Sequence, residues 1–248
     1  MSPDGFITPC WPAPANVRAL STTRCGGISA GAYAGLNLGD HVGDAADAVA
    51  RNRALLRAHL PAEPLWLKQV HDTTVASADC AADCACGTPE ADAGVARRPH
   101  NICTVLTADC LPLLLCDRAG TVVGAAHAGW RGLAAGVIEA TIAAMEADPA
   151  TLLVWLGPAI GPGAFEVGDE VRAVFLAHDE AAASAFAPHA PGKWLADISR
   201  LARLRLARCG VTQIYGGDYC TFRDHERFFS YRRDRETGRM ASLIWLNP

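Results

Sequence analysis

Apolar residues follow two kinds of pattern along the chain, and both predict regular secondary structure. The nearly unbroken apolar stretches 102–110 and 111–117 predict buried strands, interrupted near 108–110 where polar residues intervene. The stretch 121–128 predicts another buried strand, and 17–24 predicts one nearer the N-terminus. A glycine-rich loop is predicted to follow that first strand, over 25–44.

The segment 65–75 alternates between apolar and polar residues and predicts a further strand. Because side chains two positions apart share a face of a strand, this prediction places four residues together: Leu65, Leu67, Gln69 and His71. The polar stretch 76–100, which contains cysteine and proline, is predicted to be a long loop.

Apolar residues spaced three or four apart predict the helices. The first is predicted to begin at Asp44 as N-cap and to end before Pro61, and another is predicted from Asp197 as N-cap to Gly210. The remaining predictions are helices over 133–147 and 166–177 and strands over 151–157, 211–220 and 240–246. Since strands and helices mingle without a strict βαβ repeat, the pattern predicts an α/β or α+β fold with mixed sheets.

Composition narrows the class of protein. The 248 residues allow one large domain or two small ones, and we expect a single domain over 1–248; half of the residues are hydrophobic, which permits a sizeable core. The net charge of −4 comes without a basic stripe of the kind that follows nucleic-acid phosphates. No apolar run reaches the ~18 residues of a membrane span, and the first residues lack the features of a signal peptide. We therefore expect a cytoplasmic protein whose ten cysteines are mostly reduced thiols.

Three residues at the ends of predicted strands carry candidate chemistry: His71, Cys110 and His127. Each alone is more often structural, but two imidazoles and a thiolate form a good ligand set for zinc, and three protein ligands leave a fourth position open, as in catalytic sites. The same residues allow other interpretations. Cys110 as nucleophile and His127 as base would make a thiol hydrolase in which His71 has no essential role, and a metal-binding module without catalysis is a third possibility.

Six blocks of sequence resemble the signature blocks of one family in their order and spacing. They are STTRCGGISAGAYAGLNLGDHVGD (21–44), LKQVH (67–71), LTADCLPLLL (106–115), GAAHAGWRGLAAGV (124–137), LGPAIGPGAFEVGDEV (156–171) and DYCTFRDHERFFSYRRDRETGRMASLIWL (218–246). The family was long called the multicopper polyphenol oxidase or laccase-domain family. It is now associated with purine nucleoside phosphorylase and adenosine deaminase activity, and it has been linked to cell-wall (peptidoglycan) precursor editing.

The resemblance implies a fold, a site and substrates. The fold would be a layered α/β/β/α arrangement of mixed sheets, in a monomer. The site would hold zinc between His71, Cys110 and His127. The substrates would be phosphate and the nucleosides adenosine, inosine, guanosine or methylthioadenosine, with no nucleic acid or membrane as partner.

The older name of the family claims copper oxidase chemistry, and the residue counts limit that claim. Eight histidines, none of them in a His-X-His pair, cannot build a multicopper centre. A single His2Cys copper site of the blue-copper type usually has a weak axial methionine. Met1, Met145 and Met240 all lie outside the three blocks that contain the candidate ligands. Copper can still bind a zinc site in vitro, since it ranks above zinc in intrinsic affinity.

Other residues within the blocks are candidates for holding substrate. The basic candidates for phosphate are Arg24, Lys68, Arg131 and Arg239, and the amide candidates for ribose or base are Asn37 and Gln69. Asp109 is the carboxylate nearest in sequence to the ligands and is the candidate proton carrier for deamination. Phe228, Phe229 and Tyr231 could pack on a purine, and Cys80, Cys84 and Cys86 could form a second metal site or a redox loop, although no further ligand lies nearby.

Overall fold

A computed structural model describes residues 5–81 and 87–248 of the chain. Within them the strands are Phe6–Ile7 (β1), Val17–Thr22 (β2), Pro64–Leu65 (β3), Val75–Ser77 (β4), Ala93–Ala96 (β5), Ile102–Thr107 (β6), Leu111–Asp117 (β7), Val123–Ala128 (β8), Leu152–Leu156 (β9), Glu166–Gly168 (β10), Phe186–Ala190 (β11), Lys193–Ala196 (β12), Gln213–Gly216 (β13) and Met240–Leu246 (β14).

The helices lie mostly in the connections between these strands. The α-helices are Ala46–Arg57 (α1), Ala78–Ala81 (α2), Trp130–Ala135 (α3), Val137–Met145 (α4), Asp169–His178 (α5), Ile198–Arg208 (α6) and Tyr231–Asp234 (α7), and short 3₁₀ segments occur at Gly31–Tyr33, Pro149–Thr151 and Glu180–Ala185. No helix in this described part of the chain has both the length and the apolar character needed to cross a membrane.

Two large mixed sheets form the centre of the fold. One has the strand order β1-β2-β14-β6-β3 and the other β13-β9-β7-β8-β5-β4, and a smaller sheet has the order β10-β12-β11. Val105 of β6 and Leu114 of β7 belong to one apolar cluster between the large sheets. Leu113, on the opposite face of β7, packs with α4 to α6, whereas Leu243 of β14 packs with α1. The predicted α/β/β/α layering is therefore confirmed.

The hairpin of β7 and β8 determines where the candidate ligands lie. In the antiparallel register Leu111 pairs with Ala128 and Pro112 with His127. Cys110, which directly precedes β7, therefore lies beside the end of β8 and the residue after it, Gly129. The apolar patterns of these strands predicted both elements, and their pairing brings a thiol and an imidazole to one edge of the sheet.

The strand predicted over 65–75 is wrong. Strands occur there only at β3 and β4, and His71 between them has a φ of 64°. The reason is a carboxylate from elsewhere in the chain: Asp92 accepts hydrogen bonds from the consecutive backbone N–H groups of Val70, His71 and Asp72. This wraps the backbone into a turn, so Leu67 is buried while His71 is exposed, and the predicted common face does not exist.

Several boundaries also differ from the sequence predictions. Asp44 is not an N-cap, because helix α1 begins at Ala46 and the Asp44 carboxylate instead accepts hydrogen bonds from Ser29 and Asn37. The predicted loop 76–100 contains β5, and the predicted helix 133–147 is divided at Gly136, where φ is 109°. Helix α6 has its predicted caps: Asp197 accepts a hydrogen bond from the Arg200 N–H, and Gly210 follows with a φ of 89°.

Candidate active site

Three side chains that can bind a metal converge in the second large sheet, where β7 begins and β8 ends. The Sγ atom of Cys110 lies 3.8 Å from Nε2 of His71. The rings of His71 and His127 have centroids 4.7 Å apart, and one ligand atom from each of the three residues lies within 4.8 Å of the others. The structure therefore brings together the three residues that the sequence pointed to, although no strand carries His71.

The arrangement fits a tetrahedral metal. Zinc bonds of about 2.3 Å to sulfur and about 2.0–2.1 Å to nitrogen place two such ligands about 3.6 Å apart, close to the 3.8 Å between Cys110 and His71. Glycine at 129 makes room for the group, since a Cβ there would lie 2.7 Å from Cδ2 of His71 and 3.1 Å from Sγ of Cys110. The three residues offer the donor atoms that zinc prefers and leave a fourth position free.

Asp92 holds both histidine segments in place. Its fully buried carboxylate lies 2.7 Å from Nδ1 of His127, and it accepts the N–H groups of Val70, His71 and Asp72 at 2.8–3.0 Å. Because an ionised carboxylate only accepts, the His127 proton belongs on Nδ1, and Nε2 is left for the site.

The charge on Asp92 also links the site to the stability of the fold. Burial opposes its ionisation, but the hydrogen bonds from His127 and the backbone more than offset burial and lower its pKa. A group whose pKa is lowered by folding stabilises the folded state above its unfolded pKa. That contribution is present at neutral pH and is lost as the pH falls through the lowered pKa of Asp92.

In the metal-free protein, Cys110 and His127 form a thiolate–imidazolium pair. Burial would raise the pKa of Cys110, but the positive charge of His127 and hydrogen bonds to both histidines lower it to about 6. Burial would likewise lower the pKa of His127, yet the charge of Cys110 and the hydrogen bond to Asp92 raise it to about 9. The sulfur is therefore an anion at neutral pH, the form that binds metals and attacks electrophiles.

This pairing predicts the pH dependence of Cys110 alkylation in the metal-free protein. The rate of reaction with iodoacetamide is expected to rise as the pH passes about 6, where Cys110 ionises. Quantitative mass spectrometry of the labelled peptide measures the rate, and Cys110→Ser provides the background. A rate that begins to rise only near the ordinary thiol pKa of about 8.5 would contradict the ion pair.

A cavity of about 250 Å³ opens beside the three candidate ligands. Its walls include His71, Cys110 and one carboxylate, Asp109. The other members are apolar, aromatic or cationic: Ala108, Trp130, Arg131, Ile160, Phe165, Ile198, Tyr231, Arg232 and Arg235. Apolar walls with a few convergent polar groups are typical of sites for small molecules. The cavity can therefore receive an anionic or aromatic ligand next to the three candidate metal ligands.

The carboxylate of Asp109 anchors the C-terminal segment of the chain. It accepts hydrogen bonds from the Thr221 hydroxyl at 2.6 Å, the Ser230 hydroxyl at 3.0 Å and the Arg232 N–H at 2.6 Å. Asp109 is buried, with a φ of 92°, and it directly precedes Cys110. These contacts connect Cys110, a candidate metal ligand, to the arginine-rich segment, while the role of Asp109 as a proton carrier stays a prediction.

Among the four basic candidates for phosphate, Arg131 lines the cavity. Its guanidinium lies 4.6 Å from the centre of the Trp130 ring. Arg239 is close enough for the negative charges of Cys110 and Asp109 to act on it, although burial lowers its pKa overall, and it donates hydrogen bonds to backbone carbonyls. The structure thus places these two cations near the site.

Four other candidate residues make contacts away from the cavity lining. Lys68 forms an exposed ion pair with Glu90 at 2.9 Å. Arg24 stacks on the ring of Phe229 at 4.7 Å. Gln69 is paired with both backbone groups of Leu106. Asn37 is buried, bonds to both backbone groups of Gly39 and also accepts a hydrogen bond from the Arg239 N–H. Their roles in substrate binding stay predictions.

Of the three aromatic candidates, two lie in the core and one lines the cavity. Phe228 and Phe229 are fully buried in the core, so neither offers a face to a purine. Tyr231 is 51% exposed and lines the cavity. Cys80 is exposed, whereas Cys84 and Cys86 of the proposed second cysteine site lie outside the described residues.

Sequence reasoning missed several residues of the site. Asp92 was assigned to a loop, and the signal that could have identified it is an acid within the alternating segment EADAGVA, where a buried carboxylate needs partners. Trp130 and Arg235 lie inside blocks that were recognised, but nothing in their spacing indicates which way they face.

Comparison with known proteins gives one family and close relatives. The family model described as multi-copper polyphenol oxidoreductase laccase matches residues 18–247. Over 244 residues the chain is 55% identical to purine nucleoside phosphorylase PA4543 of Pseudomonas aeruginosa, an alignment that covers 98% of this chain and 99% of that protein. It is 54% identical over 247 residues to purine nucleoside phosphorylase YfiH of Escherichia coli, with 97% and 98% covered.

Solved structures show the same fold. Neisseria meningitidis protein NMB0706 superposes with a TM-score of 0.94 and 54% identity, covering 99% of this chain and 100% of that one. YlmD from Geobacillus stearothermophilus gives a TM-score of 0.88 at 30% identity, covering 100% of this chain and 98% of that one. The similarity therefore extends over nearly the entire chain.

Proposed function

The chain belongs to the multi-copper polyphenol oxidoreductase laccase family, and on that basis we propose that it is a zinc-dependent purine nucleoside phosphorylase that also deaminates adenosine. Relatives that share 54–55% of its residues are named purine nucleoside phosphorylases. The observation that carries the proposal is the His71, Cys110 and His127 group opening into a cavity with aromatic and arginine side chains.

Zinc is the metal that the donor set supports best. When bound, zinc would supply Lewis acidity and would lower the pKa of a water in the fourth position. The alternative, a copper site of the blue-copper type, usually has an axial methionine. Met240 instead lies 3.2 Å from the Phe229 backbone nitrogen, and Met145 packs in the helix-side core, so neither serves the site as an axial ligand. We infer that copper binds only as a substitute for zinc in vitro.

The residues of the cavity have distinct tasks in the proposed reaction. In phosphorolysis an oxygen of phosphate forms a bond to C1′ of the ribose, the C1′–N9 bond breaks, and the purine leaves with a proton on its ring. Arg131 is our candidate for holding the phosphate, because a guanidinium matches oxyanion geometry. The rings of Trp130 and Tyr231 can pack on the base. The substrates that we propose are adenosine, inosine, guanosine and methylthioadenosine.

Deamination in the same cavity would need water but no phosphate. Water adds at C6 of the purine, and ammonia leaves. A group near the site must carry a proton between the two, and Asp109 is our candidate because it lines the cavity next to Cys110. Within the described residues its Oδ1 atom accepts one hydrogen bond, from the Thr221 hydroxyl, which leaves a lone pair that can take up a proton.

The products formed with and without phosphate test this function. With adenosine in phosphate-free buffer, inosine is expected to accumulate as ammonia is released, because water is the available nucleophile. Added phosphate is expected to produce free base and ribose 1-phosphate as well. Chromatography of the nucleosides and bases measures both reactions.

The same assay defines the result that would refute the proposal. If neither inosine nor free base forms from adenosine, and no base forms from inosine, guanosine or methylthioadenosine with phosphate, the nucleoside assignment is wrong whatever metal is bound. If deamination required phosphate, the assignment of water as the nucleophile of deamination and phosphate as that of phosphorolysis would be wrong.

A second candidate function is a thiol hydrolase acting on cell-wall precursors. The observation that favours it is the chain of contacts from Cys110 to His127 to Asp92, which has the order of a nucleophile, a base and the group that orients the base. This mechanism has no need of His71. Removal of His71 therefore distinguishes the two functions.

A further inference from the structure

Arg235 has a backbone conformation that residues other than glycine avoid. Its φ is 62° and its ψ is −67°, and the N–H of Glu236 donates to the carbonyl of Asp234 at 2.8 Å. This closes a γ-turn of the rare kind that has positive φ at its centre, which is strained for a side chain. Strained residues cluster at functional sites, where surrounding contacts hold them in place.

The acidic neighbours of Arg235 are occupied by other partners. The carboxylate of Asp234 binds Arg233 at 2.8 and 2.9 Å, and that of Glu236 accepts a hydrogen bond from the Tyr33 hydroxyl at 2.9 Å. Within the described parts of the chain, the contact of the Arg235 guanidinium is the ring of Tyr231, 6.0 Å away. An arginine flanked by two acids thus has no carboxylate partner.

Within the described residues the guanidinium of Arg131 also lacks a carboxylate partner, whereas that of Arg232 is held by hydrogen bonds to backbone carbonyls. In residues 5–81 and 87–248, the guanidinium of Arg131 has the Trp130 ring as its contact, whereas that of Arg232 donates to the carbonyls of Ala164 and Glu166. Arg131 and Arg235 line one cavity together with His71 and Cys110. Two cations without anionic partners in a partly apolar cavity provide the donors that a bound oxyanion would satisfy.

The segment that carries Arg235 is fixed to the metal ligands. Asp109, the residue before Cys110, accepts hydrogen bonds from the Ser230 hydroxyl and the Arg232 N–H, at the start of the short helix that Arg235 ends. The arginine is therefore held at a defined position relative to the site, as a ligand for a reacting group requires.

We propose that Arg235 and Arg131 together bind the phosphate that attacks the nucleoside. This assignment rests on the proposed phosphorylase function and adds Arg235, which no sequence pattern identified. Arg232 holds the wall of the cavity and does not contact phosphate. The strained turn aims the Arg235 side chain at the cavity, where glycine would fit the backbone better but provide no charge.

Arg235→Gly is the informative variant, because glycine accepts the turn and folding should be preserved. Its KM for phosphate is expected to rise about ten- to a hundredfold, the equivalent of one charge-assisted hydrogen bond, while its KM for the nucleoside changes much less. Arg131→Ala should raise the KM for phosphate in the same way. Arg235→Lys should have a KM for phosphate between those of the wild type and Arg235→Gly, since lysine keeps the charge but not the paired donors. Arg51→Ala, an exposed arginine of α1, is the matched control.

A binding measurement on the same proteins separates this proposal from the proposed function. Inorganic phosphate is expected to raise the melting temperature of the wild type and of Arg51→Ala, and to raise that of Arg235→Gly much less at equal concentration. Equal shifts in wild type and Arg235→Gly, or an unchanged KM for phosphate, would overturn the role of Arg235. A wild type that is stabilised by phosphate yet releases no base would refute the phosphorylase and leave the phosphate site intact.

Discussion

Replacing His71 by alanine is expected to abolish nucleoside conversion as completely as replacing Cys110 by alanine. In the proposed zinc site both residues are among three ligands, and losing either one would leave the metal with too few protein bonds. Loss of a residue that only supports a ligand typically costs 10- to 100-fold in metal affinity, so loss of a ligand should cost more. Elemental analysis should find about one zinc per chain in the wild type and little in either variant.

Two matched variants show whether the loss is specific. Cys103→Ala removes a buried thiol between the sheets, and His189→Ala removes a half-exposed histidine from β11; both should keep zinc and activity. If His71→Ala remains active while Cys110→Ala is inactive, the metal function is wrong and the thiol hydrolase takes its place. Full activity of a chelated, zinc-free wild type would lead to the same conclusion.

Asp92→Asn is expected to lower zinc affinity by about 10- to 100-fold in a protein that still folds. One carboxylate oxygen receives the His71 N–H and Nδ1 of His127, and the other receives the N–H groups of Val70 and Asp72. In asparagine an NH2 group replaces one of these oxygens and cannot accept. It replaces the oxygen that faces His127, because that side has one backbone N–H and the other side has two. Nδ1 must then accept, the neutral ring carries its proton on Nε2, and that nitrogen is no longer free for the metal.

Asp117→Asn is the control for this experiment, because Asp117 is also buried and accepts the N–H groups of Thr121 and Val122 away from the site. Asp92→Asn should lose about 1–3 kcal/mol in the free energy of unfolding, since the His71 N–H is left without its acceptor. Asp117→Asn should lose less, because its remaining oxygen keeps both N–H groups and the Thr121 hydroxyl can accept from the new NH2. Titration with a competing zinc chelator measures affinity, and denaturant unfolding measures stability. Equal zinc affinity in the two variants would show that Asp92 has only a structural role.

The sequence by itself determined the strands of the central hairpin and the chemistry at their ends. The stretches around β7 and β8 are so apolar that they must be buried on both faces, and Cys110 and His127 lie near the ends of these stretches. Local capping also predicted helix α6, since Asp197 binds the N–H of a residue three positions along. Signals of this kind are readable because cause and effect lie close together in the chain.

Only the tertiary structure decided how the site is held and which cations face it. Asp92 shapes the turn at His71 from 21 residues away and orients His127 from 35 residues away. No local pattern shows that Phe228 and Phe229 enter the core while Tyr231 and Arg235 reach the cavity, although all four lie in one recognised block. Hydrophobic periodicity reports burial averaged over an element, whereas the direction of a single side chain depends on partners that the folded chain brings from distant segments.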